Sequence, residues 1–451
     1  MIKDSDLKKI TTDVEGGLNQ ELKGVGTDTR QDLTNQLYVP LIGDHFNGHD
    51  FIEVAIAQGA LAVFWQKDHP FPEHLTTKPV IYYVDDTLEA LQQLAKVYRD
   101  KVDPKVIGIT GSNGKTSTKD LVASVLKASF RTHVTKGNFN NHIGLPLTIL
   151  NMPATTEILV LEMGMSAKGE IEVLSNLARP DIAVITNIGE SHIEFLKTKM
   201  GISEAKLEIL TGLTKGGVFV YDGDEPLLNK NYAVKTIRVG FEERHDYRIE
   251  AVVVTSDGTS FQLNHQTPFN IPLVGKHHAK NASYAVAIAH HLGVSDAAIQ
   301  AGFDNMIKTG MRFEVTSKGP HQVINDAYNA SPTSMCGLID IVSDLETTKQ
   351  KVLILGDMYE LGEKTEDYHR MVGAYVTDKV DLLLTVGEAA RHIKTNEQIK
   401  HHHFETRAAL STYLNQLSKP SLLAFKASRG MQLEKVIEQL TMNDLTNHGG
   451  L

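Results

Sequence analysis

Several features of secreted, disulfide-bonded and membrane proteins are missing from the chain. Its 451 residues include one cysteine, Cys336, so no disulfide can form within the chain. No stretch reaches the roughly 18 apolar residues that a membrane-spanning helix needs. The first ten residues, MIKDSDLKKI, are charged from the third position and lack the apolar centre of a signal peptide. We therefore expect a cytoplasmic protein with no membrane insertion.

Positive charge is also scarce. The chain has 45 Lys and Arg against 55 Asp and Glu, a formal net charge of −10 at pH 7 with histidine neutral. A general nucleic-acid-binding surface needs an excess of positive charge, so we expect no nucleic-acid partner. Any nucleotide must then be held by a few local groups and a bound metal ion. With 41% hydrophobic and 22% charged residues, a chain of this length predicts about three globular domains.

Residues 105–119, KVIGITGSNGKTSTK, predict a strand, a glycine turn and a helix in that order. The glycines of the turn at 111–114 allow close approach to a ligand, and the first N–H groups of the following helix bind anions. Lys115 adds a positive charge, and Thr116 offers a hydroxyl to magnesium. The strict phosphate-loop spacing requires glycine at 109, where this chain has isoleucine. We predict a shortened phosphate loop, with a plain turn before a surface helix as the alternative.

Strand and helix patterns predict an α/β fold with three domains. Residues 1–101 predict a small α/β N-terminal domain. Residues 102–312 predict a central phosphate-loop ATPase domain with a doubly wound parallel sheet, which includes an antiparallel hairpin between 247 and 274. Residues 313–451 predict a Rossmann-like C-terminal domain. Lys101 to Pro104 predict the first linker, because proline prevents helix continuation.

The predicted elements have these bounds. In the first domain the strands are at 37–39, 62–65 and 80–84, with helical patterns at 51–58 and 91–98. In the central domain the strands are at 105–110, 157–163, 181–187 and 217–221, and the helices are at 115–128, 168–178 and 203–213. In the third domain the strands are at 323–324, 352–355, 382–386 and 422–425, and the helices are at 333–345, 366–378 and 431–440.

Polar residues follow the central strands at the edge where such sheets bind ligands. Glu162 lies at the end of the second strand, and His192 ends the segment NIGESH after the third. A carboxylate and an imidazole near the phosphate-loop hydroxyl suit a divalent metal ion. Taken singly, each is more often a hydrogen-bonded loop residue. In the first domain, Arg30 can bind a phosphate through paired N–H groups, or it lies in a solvated loop.

The order of several motifs resembles the Mur ligases, the ATP-dependent amide-forming enzymes of peptidoglycan precursor synthesis. The matching motifs are TGSNGKTST (110–118), GNFNNHIGLP (137–146), LEMGMS (161–166), ITNIGESH (185–192), GMRFE (310–314) and NDAYNASPTSM (325–335). This last motif and LGDMYELGE (355–363) are most similar to the family member whose amine substrate is D-alanyl-D-alanine. The resemblance covers nearly the whole chain.

The resemblance implies an enzymatic activity and a separate binding role for each of the three domains. ATP would activate the terminal carboxylate of UDP-N-acetylmuramoyl-tripeptide as an acyl phosphate, and the amine of D-alanyl-D-alanine would then attack it. The products would be UDP-muramoyl-pentapeptide, ADP and phosphate. The first domain would bind the muramoyl peptide, the second ATP and two Mg²⁺ ions, and the third would close over the nucleotide. We expect a monomer.

The resemblance also assigns residues. Catalytic roles fall on Lys115, Glu162, His192, Lys206 and Arg312, and metal binding on Thr116, Glu162, His192 and a carbamylated Lys206. Contacts with ATP fall on Gly111, Ser112, Asn113, Gly114, Lys115, Thr116, Ser117, Asn281, Arg312, Asp326, Tyr328 and Asn329. Contacts with the UDP-sugar fall on Arg30, His49, Asn140 and Asn141, and contacts with the dipeptide carboxylate on Lys426, Ser428 and Arg429.

Three alternatives remain at the level of sequence. A sibling ligase that adds a single diamino acid should carry an Asp-Asn-Pro-Arg-like loop in its third domain, and the sequence has none. A folylpolyglutamate synthetase-like ligase lacks a domain comparable to residues 1–101. A nucleotide-dependent binding or scaffold protein without catalysis has no use for a second metal, so it has no need to keep His192 and Lys206 together.

Overall fold

The computed structural model describes residues 1–265, 268–306 and 313–440. The chain is an α/β protein with three domains, and each domain is built on its own sheet. This confirms the predicted fold class. The exact domain boundaries, after residues 101 and 312, stay predictions. Among the described residues, no helix is both long and apolar enough to span a membrane.

The first domain contains a small, mostly parallel sheet. Its strands are β1 (Val14–Glu15), β2 (Gly24–Gly26), β3 (Gln36–Tyr38), β4 (Ile42–Gly43), β5 (Phe46–Asn47), β6 (Ala62–Gln66) and β7 (Val80–Val84), and its helices are α1 (Asp4–Leu7), α2 (Ile52–Ala57) and α3 (Thr87–Val102). The sheet order is β1-β7-β6-β3-β2, in which only the β1–β7 pair is antiparallel. Strands β4 and β5 form a separate hairpin.

Helix α3 joins the first domain to the second. The Asp86 carboxylate accepts a hydrogen bond from Glu89 N at its start, and the predicted stripe at 91–98 is buried against the core. The helix ends when Asp103 adopts a left-handed conformation with φ 52°, directly before Pro104. The predicted linker was therefore wrong in its first half, because helical hydrogen bonding continues through Val102. The connection consists of Asp103 and Pro104.

The central domain contains the largest sheet. Its strands are β8 (Lys105–Thr110), β9 (Thr132–Val134), β10 (Ile158–Glu162), β11 (Ile182–Ile185), β12 (Val218–Asp222), β13 (Lys235–Gly240), β14 (Tyr247–Val254), β15 (Thr259–Leu263) and β16 (Phe269–Ile271). Its helices are α4 (Lys115–Lys127), α5 (Gly144–Leu150), α6 (Glu170–Ala178), α7 (Ile193–Leu196), α8 (Lys199–Leu207), α9 (Lys276–His291) and α10 (Asp296–Asp304).

The topology of this sheet places β8 near its middle. The order is β16-β15-β14-β13-β12-β11-β8-β10-β9, parallel from β9 to β14 and antiparallel from β14 to β16. Alternate residues of β10 belong to different cores, since Leu159 and Leu161 pack on one face and Val160 on the other. Both faces are covered by helices, as predicted for a doubly wound sheet, and the predicted hairpin is confirmed.

Helix α8 departs from its predicted bounds of 203–213. It begins at Lys199, because the Thr198 hydroxyl accepts a hydrogen bond from Gly201 N, and it ends at Leu207. A 3-10 turn, Glu208–Leu210, follows it. The shift places Lys206 in the last turn of the helix.

The third domain has the predicted open, Rossmann-like sheet. Its strands are β17 (Glu314–Lys318), β18 (His321–Asn325), β19 (Gln350–Gly356), β20 (Leu382–Val386), β21 (Lys400–Phe404) and β22 (Ser421–Lys426), and its helices are α11 (Pro332–Asp344), α12 (Thr365–Tyr375), α13 (Arg407–Leu414) and α14 (Glu434–Glu438). The order is β17-β18-β22-β19-β20-β21, parallel except for β17. The helix predicted at 431–440 was too long, because residues 429–431 form a 3-10 turn instead.

Candidate active site

The turn between β8 and α4 is held in shape by residues that follow β11. Asn187 Oδ1 accepts a hydrogen bond of 2.9 Å from Asn113 N, and Asn187 Nδ2 donates one of 3.1 Å to Asn113 O. The Thr186 hydroxyl donates a third bond, of 2.6 Å, to the same carbonyl. The loop is therefore fixed before any ligand binds.

Two glycines in this turn cannot be replaced by a larger residue without displacement of a neighbour. Gly111 has φ 151°, and a Cβ there would lie 1.9 Å from the Thr186 hydroxyl oxygen. Gly114 has φ 79°, and its Cβ would lie 2.8 Å from Asn281 Oδ1. Gly114 directly precedes Lys115, the first residue of α4. The backbone N–H groups at this helix start can thus approach an anion closely.

Glu162, at the end of β10, contacts the first turn of α4. Its Oε2 accepts a hydrogen bond of 2.7 Å from the Thr116 hydroxyl, and its Oε1 accepts one of 2.9 Å from Asn140 Nδ2. Glu162 is 2% exposed. A hydroxyl and a carboxylate at this distance are hard oxygen donors of the kind that Mg²⁺ prefers.

A large cavity of about 950 Å³ lies over the phosphate loop, between the central and third domains. Most of the predicted site residues line it: Ser112, Asn113, Gly114, Lys115, Thr116, Ser117, Asn140, Asn141, Glu162, His192, Asn281, Asp326, Tyr328, Asn329 and Lys426. Ser112 Oγ and Asn113 Nδ2 are buried and have no hydrogen-bond partner among the described residues. Buried polar atoms of this kind are normally satisfied, so the loop fits a polar ligand such as a phosphate.

The third domain contacts the phosphate loop directly. The Ser331 hydroxyl, at the start of α11, donates a hydrogen bond of 3.1 Å to Asn113 Oδ1. The Thr333 hydroxyl donates one of 2.6 Å to Glu190, whose other oxygen lies 2.6 Å from Lys199 Nζ. Burial raises the pKa of Glu190, but its hydrogen bonds with Lys199 and Thr333 lower that pKa by more, so the net shift is downward. Glu190 is therefore ionised beside the first turn of α11, where the helix dipole favours a negative charge.

His192 meets a carboxylate from the third domain. Its Nδ1 lies 2.5 Å from Glu360 Oε2, and the contact with His192 lowers the pKa of Glu360. The backbone N–H of Glu194 donates to the Glu360 carbonyl at 3.1 Å. Both His192 and Glu360 have positive φ, 64° and 61°. Nothing in the sequence pairs these two residues.

Lys206 is buried although it is a lysine. It is 1% exposed, and no ion pair among the described residues includes it. Burial first, and the charge of Lys115 second, lower its pKa well below the ordinary value. Burial thus favours the neutral form of the Lys206 amine, which is the nucleophilic form. Lys115 itself lies across the turn, with Nζ 2.7 Å from Gly111 O.

The predicted dipeptide-binding residues lie in different surroundings. Lys426 lines the cavity and pairs with Asp326 at 2.6 Å. Ser428 is buried, and its Oγ accepts a hydrogen bond of 2.8 Å from Tyr359 N. Arg429 pairs with Glu434 at 2.7 Å. Neither Ser428 nor Arg429 is among the residues that line the cavity, so the structure brings only Lys426 to it.

The predicted sugar-binding residues of the first domain are also away from the cavity lining. Arg30 pairs with Asp28 at 2.8 Å and holds the pKa of that carboxyl at about 2. His49 is 4% exposed and lies stacked on His69 with ring centroids 4.4 Å apart. Burial, and then the neighbouring His69, lower the pKa of His49 to about 4, so its ring is neutral at pH 7. Roles for both in sugar binding stay predictions.

Arg312 lies outside the described residues. Gly111 and Lys206 are not among the residues that line the cavity. Asn141, which does line it, also accepts a hydrogen bond of 2.8 Å from Gly144 N and so fixes the start of α5.

A charged cluster that the sequence did not reveal lies at another wall of the cavity. Lys280 Nζ is 2.7 Å from Asp222 and 2.7 Å from Asp224, and it lies 5.3 Å from the centre of the Phe241 ring. Three of these four residues, Asp222, Phe241 and Lys280, line the cavity. Asp222 ends β12 and Asp224 follows it, as polar residues do at other strand ends of this sheet, and that position is the signal that could have identified the pair.

The described residues contain no group of three or more His, Cys, Asp or Glu side chains arranged to hold a metal ion. Mg²⁺ in nucleotide sites is commonly bound by one or two carboxylates together with water and substrate phosphates. Thr116 and Glu162 fit that pattern, since they already lie in contact beside the phosphate loop.

Family profiles match all three parts of the chain. Residues 21–99 match the Mur ligase family, catalytic domain; residues 109–289 match the Mur ligase middle domain; and residues 311–429 match the Mur ligase, glutamate ligase domain. The chain is 46% identical, over 94% of its length and 94% of the relative's, to the UDP-N-acetylmuramoyl-tripeptide--D-alanyl-D-alanine ligase of Bacillus subtilis.

Solved structures agree with this assignment. A crystal structure of MurF from Acinetobacter baumannii has a TM-score of 0.88 and 27% identity, over 97% of this chain and 98% of that one. MurF ligase from Thermotoga maritima in complex with ADP has a TM-score of 0.83 and 27% identity, over 94% of this chain and 98% of that one.

Proposed function

This chain belongs to the Mur ligase family, and we propose that it joins D-alanyl-D-alanine to UDP-N-acetylmuramoyl-tripeptide at the expense of ATP, in the synthesis of the bacterial cell wall. The observation that carries the proposal is the 46% identity with the Bacillus subtilis ligase of that name over 94% of both chains. The ADP complex of the Thermotoga maritima structure supports ATP as the cosubstrate. The single-amino-acid ligase and the folylpolyglutamate synthetase are not favoured by these relatives.

The reaction requires two negatively charged groups to meet. The carboxylate of the tripeptide attacks the γ-phosphorus, the bond to the ADP oxygen breaks, and an acyl phosphate forms. The amine of the dipeptide then attacks the acyl carbon, a proton leaves the nitrogen, and phosphate departs. Because a carboxylate and a triphosphate repel each other, the protein must supply positive charge and hold both groups in line.

We assign that task to the phosphate loop and its neighbours. The N–H groups at the start of α4 and the Lys115 ammonium bind the phosphates, after Lys115 exchanges its bond with Gly111 O for one with a phosphate oxygen. Thr116 and Glu162 would hold one magnesium ion, and His192 would hold a second. When bound, these ions neutralise the charge that develops on the phosphate oxygens.

Lys206 is the residue that we expect to be carbamylated. Its neutral amine attacks carbon dioxide, a C–N bond forms and one proton is released, which leaves an anionic carbamate. The supporting observation is a lysine that is 1% exposed, with its pKa lowered by burial. A cation there would repel the metal ions, whereas a carbamate provides oxygen ligands.

We also assign substrate-binding roles to residues that line the cavity. Asn281, Asp326, Tyr328 and Asn329 contact the nucleotide, Asn140 and Asn141 face the muramoyl substrate, and Lys426 is the candidate for the dipeptide carboxylate. The docked third domain excludes water, which would otherwise hydrolyse the acyl phosphate. We further propose that the enzyme acts as a monomer in the cytoplasm, where its small-molecule substrates are found.

A phosphate-release assay tests the proposal. The enzyme is supplied with Mg²⁺, ATP and UDP-N-acetylmuramoyl-tripeptide ending in lysine or in diaminopimelate, with D-alanyl-D-alanine, a free diamino acid or glutamate as the amine. We expect release only with D-alanyl-D-alanine and a pentapeptide product of matching mass. Release with another amine and none with D-alanyl-D-alanine would refute the proposed function.

A further inference from the structure

The contact between His192 and Glu360 crosses the boundary between the central and third domains. His192 Nδ1 lies 2.5 Å from Glu360 Oε2 and is buried, with no other described polar group engaging it. The two groups lie at ion-pair distance, although the contact does not meet the geometry of a regular hydrogen bond. His192 also lines the cavity. With Nδ1 directed at the carboxylate, Nε2 is the nitrogen left for a ligand.

Glu360 is presented by a loop that is itself firmly held. The Tyr359 N–H donates a hydrogen bond of 2.8 Å to Ser428 Oγ, and the Met358 N–H donates one of 3.0 Å to His369 Nε2. The carbonyl of Asp357 accepts a bond of 2.9 Å from Ser428 N. Three consecutive residues before Glu360 are therefore fixed to the third domain, and the position of its carboxylate follows the position of that domain.

The same loop lies against α7, directly after His192. Glu194 N donates to the Glu360 carbonyl at 3.1 Å, and a Cβ on Gly362 would lie 3.3 Å from Glu194 Cγ. His192 and Glu360 both have left-handed backbones, which residues other than glycine rarely adopt. The segment at His192 and the loop at Glu360 thus meet through one side-chain contact and one backbone hydrogen bond. Both His192 and Glu360 have a positive φ at this contact.

A histidine that ligates a metal usually donates its other ring N–H to a carboxylate, which fixes its tautomer and makes the ligating nitrogen more basic. On the basis of the proposed function, we infer that Glu360 is a positioning residue for the His192 metal site. Docking of the third domain brings the carboxylate to His192 Nδ1, holds the Nδ1–H tautomer, and leaves the Nε2 lone pair to face the cavity. The second metal site is then complete only in the docked enzyme.

This inference gives Ser428 and the loop at 355–363 a role that differs from dipeptide binding. Ser428 would act through the backbone of Tyr359, and through it on Glu360, rather than touch a substrate. It is also consistent with the surroundings of His192 Nδ1, which has no hydrogen-bond partner among the described residues and lies at ion-pair distance from Glu360 across the domain boundary.

The experiment counts metal ions rather than turnover. The full-length enzyme with a non-hydrolysable ATP analogue is titrated with Mn²⁺, and free Mn²⁺ is followed by electron paramagnetic resonance. The variants are Glu360→Ala, which removes the acceptor, Glu360→Gln, which keeps an oxygen acceptor, and Glu363→Gln. Glu363 is an exposed residue three positions along the same loop and serves as the matched control.

We expect Glu360→Ala to weaken the weaker Mn²⁺ site about 10- to 100-fold and to leave the tighter site unchanged. Glu360→Gln should retain most of the affinity, and Glu363→Gln should match the wild type. In kinetics, Glu360→Ala should raise the Mg²⁺ concentration needed for half-maximal rate and leave the KM for ATP unchanged. Nitrogen NMR of ¹⁵N-histidine-labelled enzyme should show the His192 signal change tautomer in Glu360→Ala but not in Glu363→Gln.

Two wild-type Mn²⁺ sites that are both unaffected by Glu360→Ala would overturn the inference, as would an unchanged His192 signal. A merely structural contact predicts a different result: a lower unfolding temperature with unchanged Mn²⁺ affinity. Failure of the proposed function is recognised separately, because the wild-type enzyme would then release no phosphate in response to D-alanyl-D-alanine.

Discussion

The Thr116 hydroxyl donates a hydrogen bond of 2.7 Å to Glu162 Oε2 and so joins the first turn of α4 to the end of β10. These two residues are far apart in the sequence and adjacent in space because β8 and β10 are parallel neighbours. The pair holds two oxygen donors beside the phosphate loop before nucleotide binds.

The first prediction concerns this pair. Glu162→Gln removes the negative charge but keeps the size and an oxygen, so the fold should survive. We expect the Mg²⁺ concentration for half-maximal phosphate release to rise about 10- to 100-fold. The control is Glu157→Gln, an exposed carboxylate just before the same strand. An unchanged Mg²⁺ dependence in Glu162→Gln would remove this residue from the metal site.

Lys115→Ala should abolish turnover and leave the fold intact, because the side chain lies in the cavity wall and the change removes no core volume. Loss of one positive donor to the transferred phosphate is expected to lower kcat by at least about 100-fold. Phosphate release and circular dichroism provide the two measurements. Lys127→Ala, an exposed lysine in the last turn of the same helix, should behave as wild type. Substantial turnover in Lys115→Ala would contradict the assignment.

Lys206→Ala should be inactive and should recover part of its activity when short carboxylic acids such as acetate are added. The reason is that a small carboxylate can occupy the place of the carbamate, in a site where the lysine is 1% exposed. Rates are measured across a concentration series of the acid. Lys115→Ala serves as the comparison, because acids should not rescue it. If no concentration restores activity to Lys206→Ala, the carbamate is excluded.

Docking of the third domain should depend on Thr333. Thr333→Val deletes the hydroxyl that donates to the buried Glu190 and leaves Lys199 as the only side-chain partner of that carboxylate among the described residues. We expect a larger fraction of undocked molecules, seen as an increased radius of gyration in small-angle scattering. Thr333→Ser keeps the hydroxyl and should scatter like the wild type. Superimposable curves for all three proteins would show that this bond does not control docking.

Lys280→Met should destabilise the enzyme, because it leaves the buried Asp222 carboxylate without its cation. We expect the free energy of unfolding to fall by roughly 2–3 kcal/mol. This is less than the cost of breaking a fully buried ion pair, because Lys280 is partly exposed. Thermal unfolding measures the effect, with Lys230→Met as an exposed control. The double variant Lys280→Met, Asp222→Asn should regain part of the loss. A single variant as stable as the wild type would show that solvent compensates for the missing charge.

Much of the fold was predictable from periodicity alone. Strands β8 and β20 have their predicted bounds, since each is an apolar run that stops at a turn. Strand β17 was missed because its sequence, EVTSK, is exposed and polar and carries no alternating pattern. Its position is set by pairing with β18, which is a property of the tertiary structure.

Some contacts of the candidate site were likewise predictable from the sequence, and others depend on the tertiary structure. Lys115, Thr116 and Glu162 lie at or just after strand ends of one sheet, and their convergence was predictable from the rule that parallel strands end at one edge. The pairing of Lys280 with Asp222, 58 positions away, and that of Glu360 with His192 depend on how helices and domains pack. No local pattern encodes such contacts. The burial of Lys206 likewise depends on tertiary packing, since α8 buries Ile202, Ser203 and Ala205 together with it.

The short connection at Asp103 and Pro104 limits how the first domain can move. Two residues span at most about 7 Å, so the domain can pivot about this joint but cannot drift away from the second. Tyr98 of α3 strengthens this connection, because its hydroxyl donates a hydrogen bond of 3.0 Å to the carbonyl of Met152 in the central domain. The first and central domains are therefore joined by a connection too short to let them separate, and the Tyr98 contact holds them side by side at that point.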